Sequence, residues 1–179
     1  MVASARPPAP LCPEHAAIWA ALSVLTDPEI PVVTLSDLGI LRDVRTGDDG
    51  MAEVVITPTY SGCPAMSQIE DDIYATLTQS SLSARVITQL APAWTTDWIT
   101  PAAREKLRVY GIAPPTGHTH ASIAGVVQFS RRSRTSATVA CPQCGSTETT
   151  EISAFGSTAC KAQYRCLSCM EPFDYFKPY

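Results

Sequence analysis

The chain has 179 residues, 45% hydrophobic and 17% charged, with a formal net charge of −4. That composition describes a folded globular protein, too apolar for a disordered chain and too acidic to offer nucleic acid a general basic field. The length accommodates one ordinary core of about 100–130 residues plus a small appended module, and no stretch approaches the length of a membrane span.

Residues through Pro10 are rich in alanine and proline and read as a frayed lead-in. Met1-Val2-Ala3-Ser4-Ala5-Arg6-Pro7-Pro8 lacks the apolar core of a signal peptide, so a cytoplasmic, reducing location is expected. Pro13 and Glu14 open a helix that places Ile18, Leu22 and Leu25 on one face, and Asp27-Pro28-Glu29-Ile30-Pro31 stops it. Residues 38–44 and 52–57 read as strands, joined through the turn Thr46-Gly47-Asp48-Asp49-Gly50 into a hairpin. Met66, Ile69, Ile73 and Leu77 then recur at helical spacing, with Pro64 suited to the first helical position and Cys63 to the N-cap.

Residues 84–90 supply a third strand, and Thr100-Pro101 starts a short helix that Gly111 ends. The order predicts an α+β core with a small three-stranded mixed sheet and flanking helices over residues 11–113. A Ser, Thr and Arg-rich linker over 114–139 follows, and a metal-binding β module occupies 140–179. Within the linker, residues 123–129 are apolar enough for a strand, while Arg131-Arg132-Ser133-Arg134 reads as a solvated basic run.

Cys141-Pro142-Gln143-Cys144 and Cys166-Leu167-Ser168-Cys169 form two Cys-x-x-Cys pairs with 21 residues between Cys144 and Cys166. Two such pairs bring four thiolates together, which matches the tetrahedral preference of zinc and leaves no open position for catalysis. One structural zinc ion in a ribbon-like fold is expected. Gly145 fits this reading, since a knuckle needs permissive backbone just past its second ligand. Cys160 is a further cysteine of this module, an additional or exchange ligand or a packed thiol.

In the first domain Cys63 stands out, because a helix N-terminus favours the thiolate. The alternative is a buried cysteine without chemistry. His15, His118 and His120 form no recognised motif with it, so thiol catalysis has no evident base and the chain reads as a non-enzyme. Asp27 and Glu29 are explained by turn roles, and Trp94 and Trp98 by core packing or an interaction loop.

Asp27-Pro28-Glu29-Ile30-Pro31, Asp37-Leu38-Gly39-Ile40 and Thr57-Pro58-Thr59-Tyr60-Ser61-Gly62-Cys63-Pro64 together resemble the small domain of SufT-type iron–sulfur assembly factors. Trp94-Thr95-Thr96-Asp97-Trp98-Ile99, Phe155-Gly156-Ser157-Thr158-Ala159-Cys160-Lys161 and Glu171-Pro172-Phe173-Asp174-Tyr175-Phe176-Lys177 narrow this. They resemble the PaaD family associated with bacterial phenylacetyl-CoA oxygenase, the ring 1,2-epoxidase. The resemblance implies an accessory protein of aerobic phenylacetate catabolism that assists iron–sulfur or metal-centre maturation. It implies Cys63 as the cluster-transfer residue, a transient iron–sulfur cluster, and Cys141, Cys144, Cys166 and Cys169 as the metal ligands. The implied partners are the epoxidase components, the iron–sulfur reductase above all, with homodimerisation and without nucleic acid or membrane. A non-catalytic structural or regulatory component of the complex, with Cys63 inert, stands as the alternative.

Overall fold

A computed structural model describes residues 12–116 and 138–178. The chain divides into two compact units between Tyr110 and Gly111. His118-Thr119-His120, residues 123–129 and Arg131-Arg132-Ser133-Arg134 lie outside the described residues. No helix of the described residues is long and apolar enough to cross a membrane.

The first unit carries the expected mixed sheet. β1 (Leu41–Thr46) pairs antiparallel with β2 (Ala52–Ile56), and β2 pairs parallel with β3 (Arg85–Thr88). Two parallel neighbours require a crossover, which α3 (Met66–Gln79) supplies between β2 and β3. α1 (Pro13–Leu22) packs against α3 and β1, burying Ile18 and Leu22, while α3 contributes Ile69, Ile73 and Leu77 to the core. Every residue of β2 is buried, as a central strand requires.

Glu53 is the one charged residue of β2, and the register accounts for it. Arg45 on β1 and Arg85 on β3 stand opposite it on either side, with Arg45 Nε 2.8 Å from Glu53 Oε2 and Arg85 Nη2 2.5 Å from Oε1. The hydrogen bonds from Arg85 and then Arg45 hold the Glu53 carboxyl below its ordinary range.

Two local readings change. Residues 38–40 are not strand: Thr34 and Asp37 form a capping box around the short helix α2 (Leu35–Leu38), which Gly39 ends at φ +71. A Cβ at Gly39 would stand 2.7 Å from that of Trp98, so both conformation and space demand glycine. Nor is Cys63 the N-cap of α3. Its amide donates to the Tyr60 carbonyl at 3.2 Å, closing a separate turn, and the helix starts at Met66 with Ala65 as N-cap. Trp94 and Trp98 are core residues, 4% and 8% exposed. The indole of Trp94 donates to the Leu38 carbonyl at 2.9 Å, and the Arg42 guanidinium lies 3.4 Å above the Trp98 ring. Thr100 opens α4 (Pro101–Tyr110) as expected, its hydroxyl accepting from the Ala103 amide at 3.1 Å.

The second unit is a four-stranded sheet in the order β4 (Ile112–Ala113), β7 (Pro172–Phe176), β6 (Lys161–Cys166), β5 (Thr149–Ser153). β5, β6 and β7 are antiparallel neighbours, and β4 joins β7 in parallel. Ile112 and Ala113, read from sequence into the first domain, thus complete the sheet of the second. Val139, Tyr164, Phe173 and Tyr175 form its small core, Tyr164 meeting Tyr175 edge to face at 5.3 Å.

Candidate metal centre and thiol site

Two knuckles of matching backbone geometry build the metal centre. The Cys141 amide donates to the Ser146 carbonyl at 2.9 Å, and the Cys166 amide donates to that of Glu171 at 3.0 Å, the same five-residue step. In both knuckles the residue after the second cysteine is left-handed: Gly145 at φ +75 and Met170 at φ +66. Glycine announces this in the first knuckle; in the second only the position after Cys169 does, because methionine ordinarily avoids that region. Ser146 and Ser168 face each other at 2.7 Å across the knuckles, Ser168 donates to Glu148 Oε2 at 3.2 Å, and the Leu167 amide donates to the Glu148 carbonyl at 2.7 Å. Hydrogen bonds therefore tie the two halves together.

The sulfurs of Cys141, Cys144, Cys166 and Cys169 all lie within 4.8 Å of one another. Cys141 and Cys169 are 3.8 Å apart, and Cys144 and Cys166 3.6 Å. A disulfide needs about 2.05 Å, whereas a tetrahedron with Zn–S bonds of about 2.3 Å has edges near 3.8 Å. The four thiols thus fit zinc. Their protonation chemistry agrees. The amide of Cys169, with that of Ser168 and the neighbouring thiols, pulls Cys166 down to about 6. Cys169, although it accepts from the Glu171 amide, is pushed up to about 12 by burial and by the sulfurs of Cys166, Cys144 and Cys141. Cys166 and Cys169 are thus driven in opposite directions, as neighbouring thiolates repel, and a divalent cation removes that conflict.

Cys160 is outside this group. It is 5% exposed, with its sulfur 3.0 Å from the Thr158 hydroxyl and its carbonyl accepting from the Lys177 amide at 3.0 Å. Those contacts describe a packed thiol at the start of β6.

Cys63 sits half-buried in the turn ahead of α3. Burial pushes its thiol up, and the charges of Glu29 and Asp27 push the same way, against partial compensation from the Ala65 and Met66 amides. The shift runs opposite to the thiolate stabilisation expected of a helix N-terminus. The carboxylates responsible come from the Asp27-Pro28-Glu29 turn, where Asp27 Oδ1 accepts from the amides of Glu29 at 2.9 Å and Ile30 at 2.8 Å. Sequence separates this turn from Cys63 by more than thirty positions, and only the resemblance pointed to both. Beside Cys63 along the chain, residues 57–61 line a pocket of about 350 Å³ with Leu90, Ala93 and Trp94. His15 has a structural role, its Nε2 lying 3.1 Å from the Thr46 hydroxyl.

Comparison with known proteins divides the chain in the same way. Residues 15–86 match the family model described as iron–sulfur cluster assembly protein, and residues 127–177 the one described as PaaD zinc beta ribbon domain. The chain is 51% identical over 167 residues to an Escherichia coli (strain K12) protein described as the D component of 1,2-phenylacetyl-CoA epoxidase, covering 92% of this chain and 93% of that one. It is 30% identical over 93 residues to the Fe-S protein maturation auxiliary factor YitW of Bacillus subtilis (strain 168), covering 52% of this chain and 84% of the relative. A crystal structure of a domain of unknown function, DUF59, from Bacillus anthracis matches 52% of this chain and 91% of its own length at 26% identity and a TM-score of 0.47. With identity of 51% sustained along nearly the full length of both proteins, the chain belongs to the PaaD family of phenylacetyl-CoA epoxidase components, in which an iron–sulfur assembly domain is joined to a zinc ribbon.

Proposed function

We propose that this chain is a cytoplasmic accessory factor of a phenylacetyl-CoA epoxidase system that assists maturation of an iron–sulfur or other metal centre and is not itself an oxygenase. The observation that carries the reading is the union, in one chain, of an iron–sulfur assembly domain containing Cys63 with near full-length similarity to a PaaD component of the epoxidase. Cys63 is the transient ligand of the cluster in transit. Its proton leaves as the metal arrives, since a thiol held protonated by burial, Glu29 and Asp27 ionises only when a cation is at hand. Cys141, Cys144, Cys166 and Cys169 hold one zinc ion that stiffens the ribbon, and the ribbon docks the client. The iron–sulfur reductase component is that client, and the factor acts as a homodimer. Cys160 belongs to the packing of the ribbon, with no place in the transfer.

Cells carrying only a Cys63→Ser variant test the reading. The purified reductase component should contain less iron and acid-labile sulfide, with ring-oxygenase activity falling in proportion. Normal cluster content would overturn it.

The raised thiol favours a second reading, a structural component of the complex whose Cys63 is inert. In that case the Cys63→Ser variant retains both full activity and binding to the complex.

A further inference from the structure

The two knuckles repeat one backbone geometry but differ at its left-handed position, which holds Gly145 at φ +75 in the first and Met170 at φ +66 in the second. Glycine adopts that conformation freely, whereas a Cβ there crowds the following carbonyl oxygen. Space does not explain the difference, since a Cβ added at Gly145 would meet nothing within 4 Å. Burial does not explain it either. Met170 is 58% exposed, and Leu167 of the same knuckle 49%. A backbone cost that presents an apolar side chain to solvent points to a use outside the fold.

Charge frames this apolar pair. Glu171 follows Met170 and is exposed, as is Glu148, whose carbonyl accepts from the Leu167 amide at 2.7 Å and whose Oε2 accepts from the Ser168 hydroxyl at 3.2 Å. Neither carboxylate forms an ion pair with a described residue, and Arg165, the nearest cation along the chain from Leu167, forms none either. Phe155, between β5 and β6, differs. It is 67% exposed, but the Lys177 ammonium lies 4.6 Å above its ring.

We propose that Leu167 and Met170 are the contact through which the ribbon docks the iron–sulfur reductase component, meeting there an apolar side chain flanked by lysine or arginine. This rests on the docking role of the ribbon proposed above and assigns that role to residues. The basic flanks follow from Glu148 and Glu171, whose charges attract cationic side chains and repel acidic ones. Methionine suits the contact, because its unbranched, polarizable side chain adapts to an irregular apolar partner. The knuckle adds pre-organisation, fixing by its hydrogen bonds the backbone from which both side chains leave.

The test titrates the zinc-loaded full chain with the purified reductase component, by calorimetry at low and high salt. The natural chain should bind, more weakly as salt rises. Met170→Ala keeps the left-handed Cβ and removes the thioether; Leu167→Ser removes the other apolar group. Each should weaken binding about fivefold or more, the scale of an interface anchor, and Glu171→Lys about tenfold. Phe155→Ser should leave affinity unchanged. All four variants should keep one zinc per chain and release it to a chelator at the natural rate, which separates docking from shielding of the metal. Unchanged affinity in Met170→Ala and Leu167→Ser, equal weakening in Phe155→Ser, tighter binding by Glu171→Lys, or weakening accompanied by faster zinc release would each overturn the proposal. Reductase that binds the natural chain and all variants alike refutes this surface and leaves the docking role standing, whereas no binding by the natural chain refutes both. Binding weakened as expected, together with normal reductase cluster content in Cys63→Ser cells, refutes cluster transfer and leaves the surface intact.

Discussion

The two thiol sites are built on opposite principles. In the second unit four sulfurs converge, hydrogen bonds fasten the knuckles, and the site is finished by one divalent ion. In the first unit a single thiol is half-buried near two carboxylates, and no metal-binding group of the described residues includes it. A resident ion requires saturation of its coordination; a passing one requires the reverse. The contrast separates four cysteines whose geometry fits a resident ion from the one to which the proposed transfer assigns chemistry, and none of the seven cysteines is in a disulfide.

The contrast breaks most readily through the metal. A strong chelator, or Cys166→Ser, should unfold the second unit, read at residues 138–178, while leaving the first unit folded, because the ion supplies much of a small module's folding energy and the first unit has its own apolar core. Amide hydrogen exchange resolves the two. Uniform loss of protection in both units would contradict it.

The first unit has its own weak point in acid. Glu53 has a depressed carboxyl, so its contribution to stability is present above the ordinary glutamate range, about pH 4.3, and is lost as pH falls through the depressed folded value. Glu53→Gln should lower stability at pH 7 and flatten the acid branch of the urea-denaturation midpoint. A parallel acid branch in the variant would place the effect elsewhere.

Finer changes probe the knuckles. Gly145→Ala should cost about 1–2 kcal/mol, the penalty of a left-handed Cβ. Met170→Gly should relieve the same strain, gaining less than about 1 kcal/mol once the added freedom of the unfolded glycine is subtracted. Thermal unfolding of the zinc-loaded protein measures both. Smallest is the effect on Cys63 itself: Glu29→Gln removes a negative neighbour, lowers the thiol toward its ordinary value, and should speed alkylation by iodoacetamide at neutral pH. An unchanged rate would mean that burial alone governs this thiol.

Much of this was legible in the residues. The ribbon ligands follow from spacing, since two Cys-x-x-Cys knuckles with Gly145 after the first admit few other arrangements. The mixed sheet follows from a hairpin, a helix and a third strand in that order. What escaped depended on contacts between distant segments. At residues 38–40 local marks of a helix exit are present, Thr34 with Asp37 and then Gly39, but the apolar run into β1 outweighs them in the sequence, and the close approach of Trp98 to Gly39 is seen only in the fold. Ile112 and Ala113 follow α4 directly, yet their strand partners are Asp174 and Tyr175. Cys63 does precede a helix, and the Ala65 and Met66 amides at its start draw the thiol down in part, but burial with the charges of Glu29 and Asp27 outweighs them.

The most direct measurement is metal analysis of the purified full chain, before and after anaerobic reconstitution with iron and sulfide, in the natural protein and in Cys63→Ser. We expect one zinc per chain in both, and an iron-dependent visible chromophore that forms with Cys63 and is lost without it. Equal iron loading in the two proteins, or iron in place of zinc at the four ribbon cysteines, would contradict the division between a resident ion and a passing one.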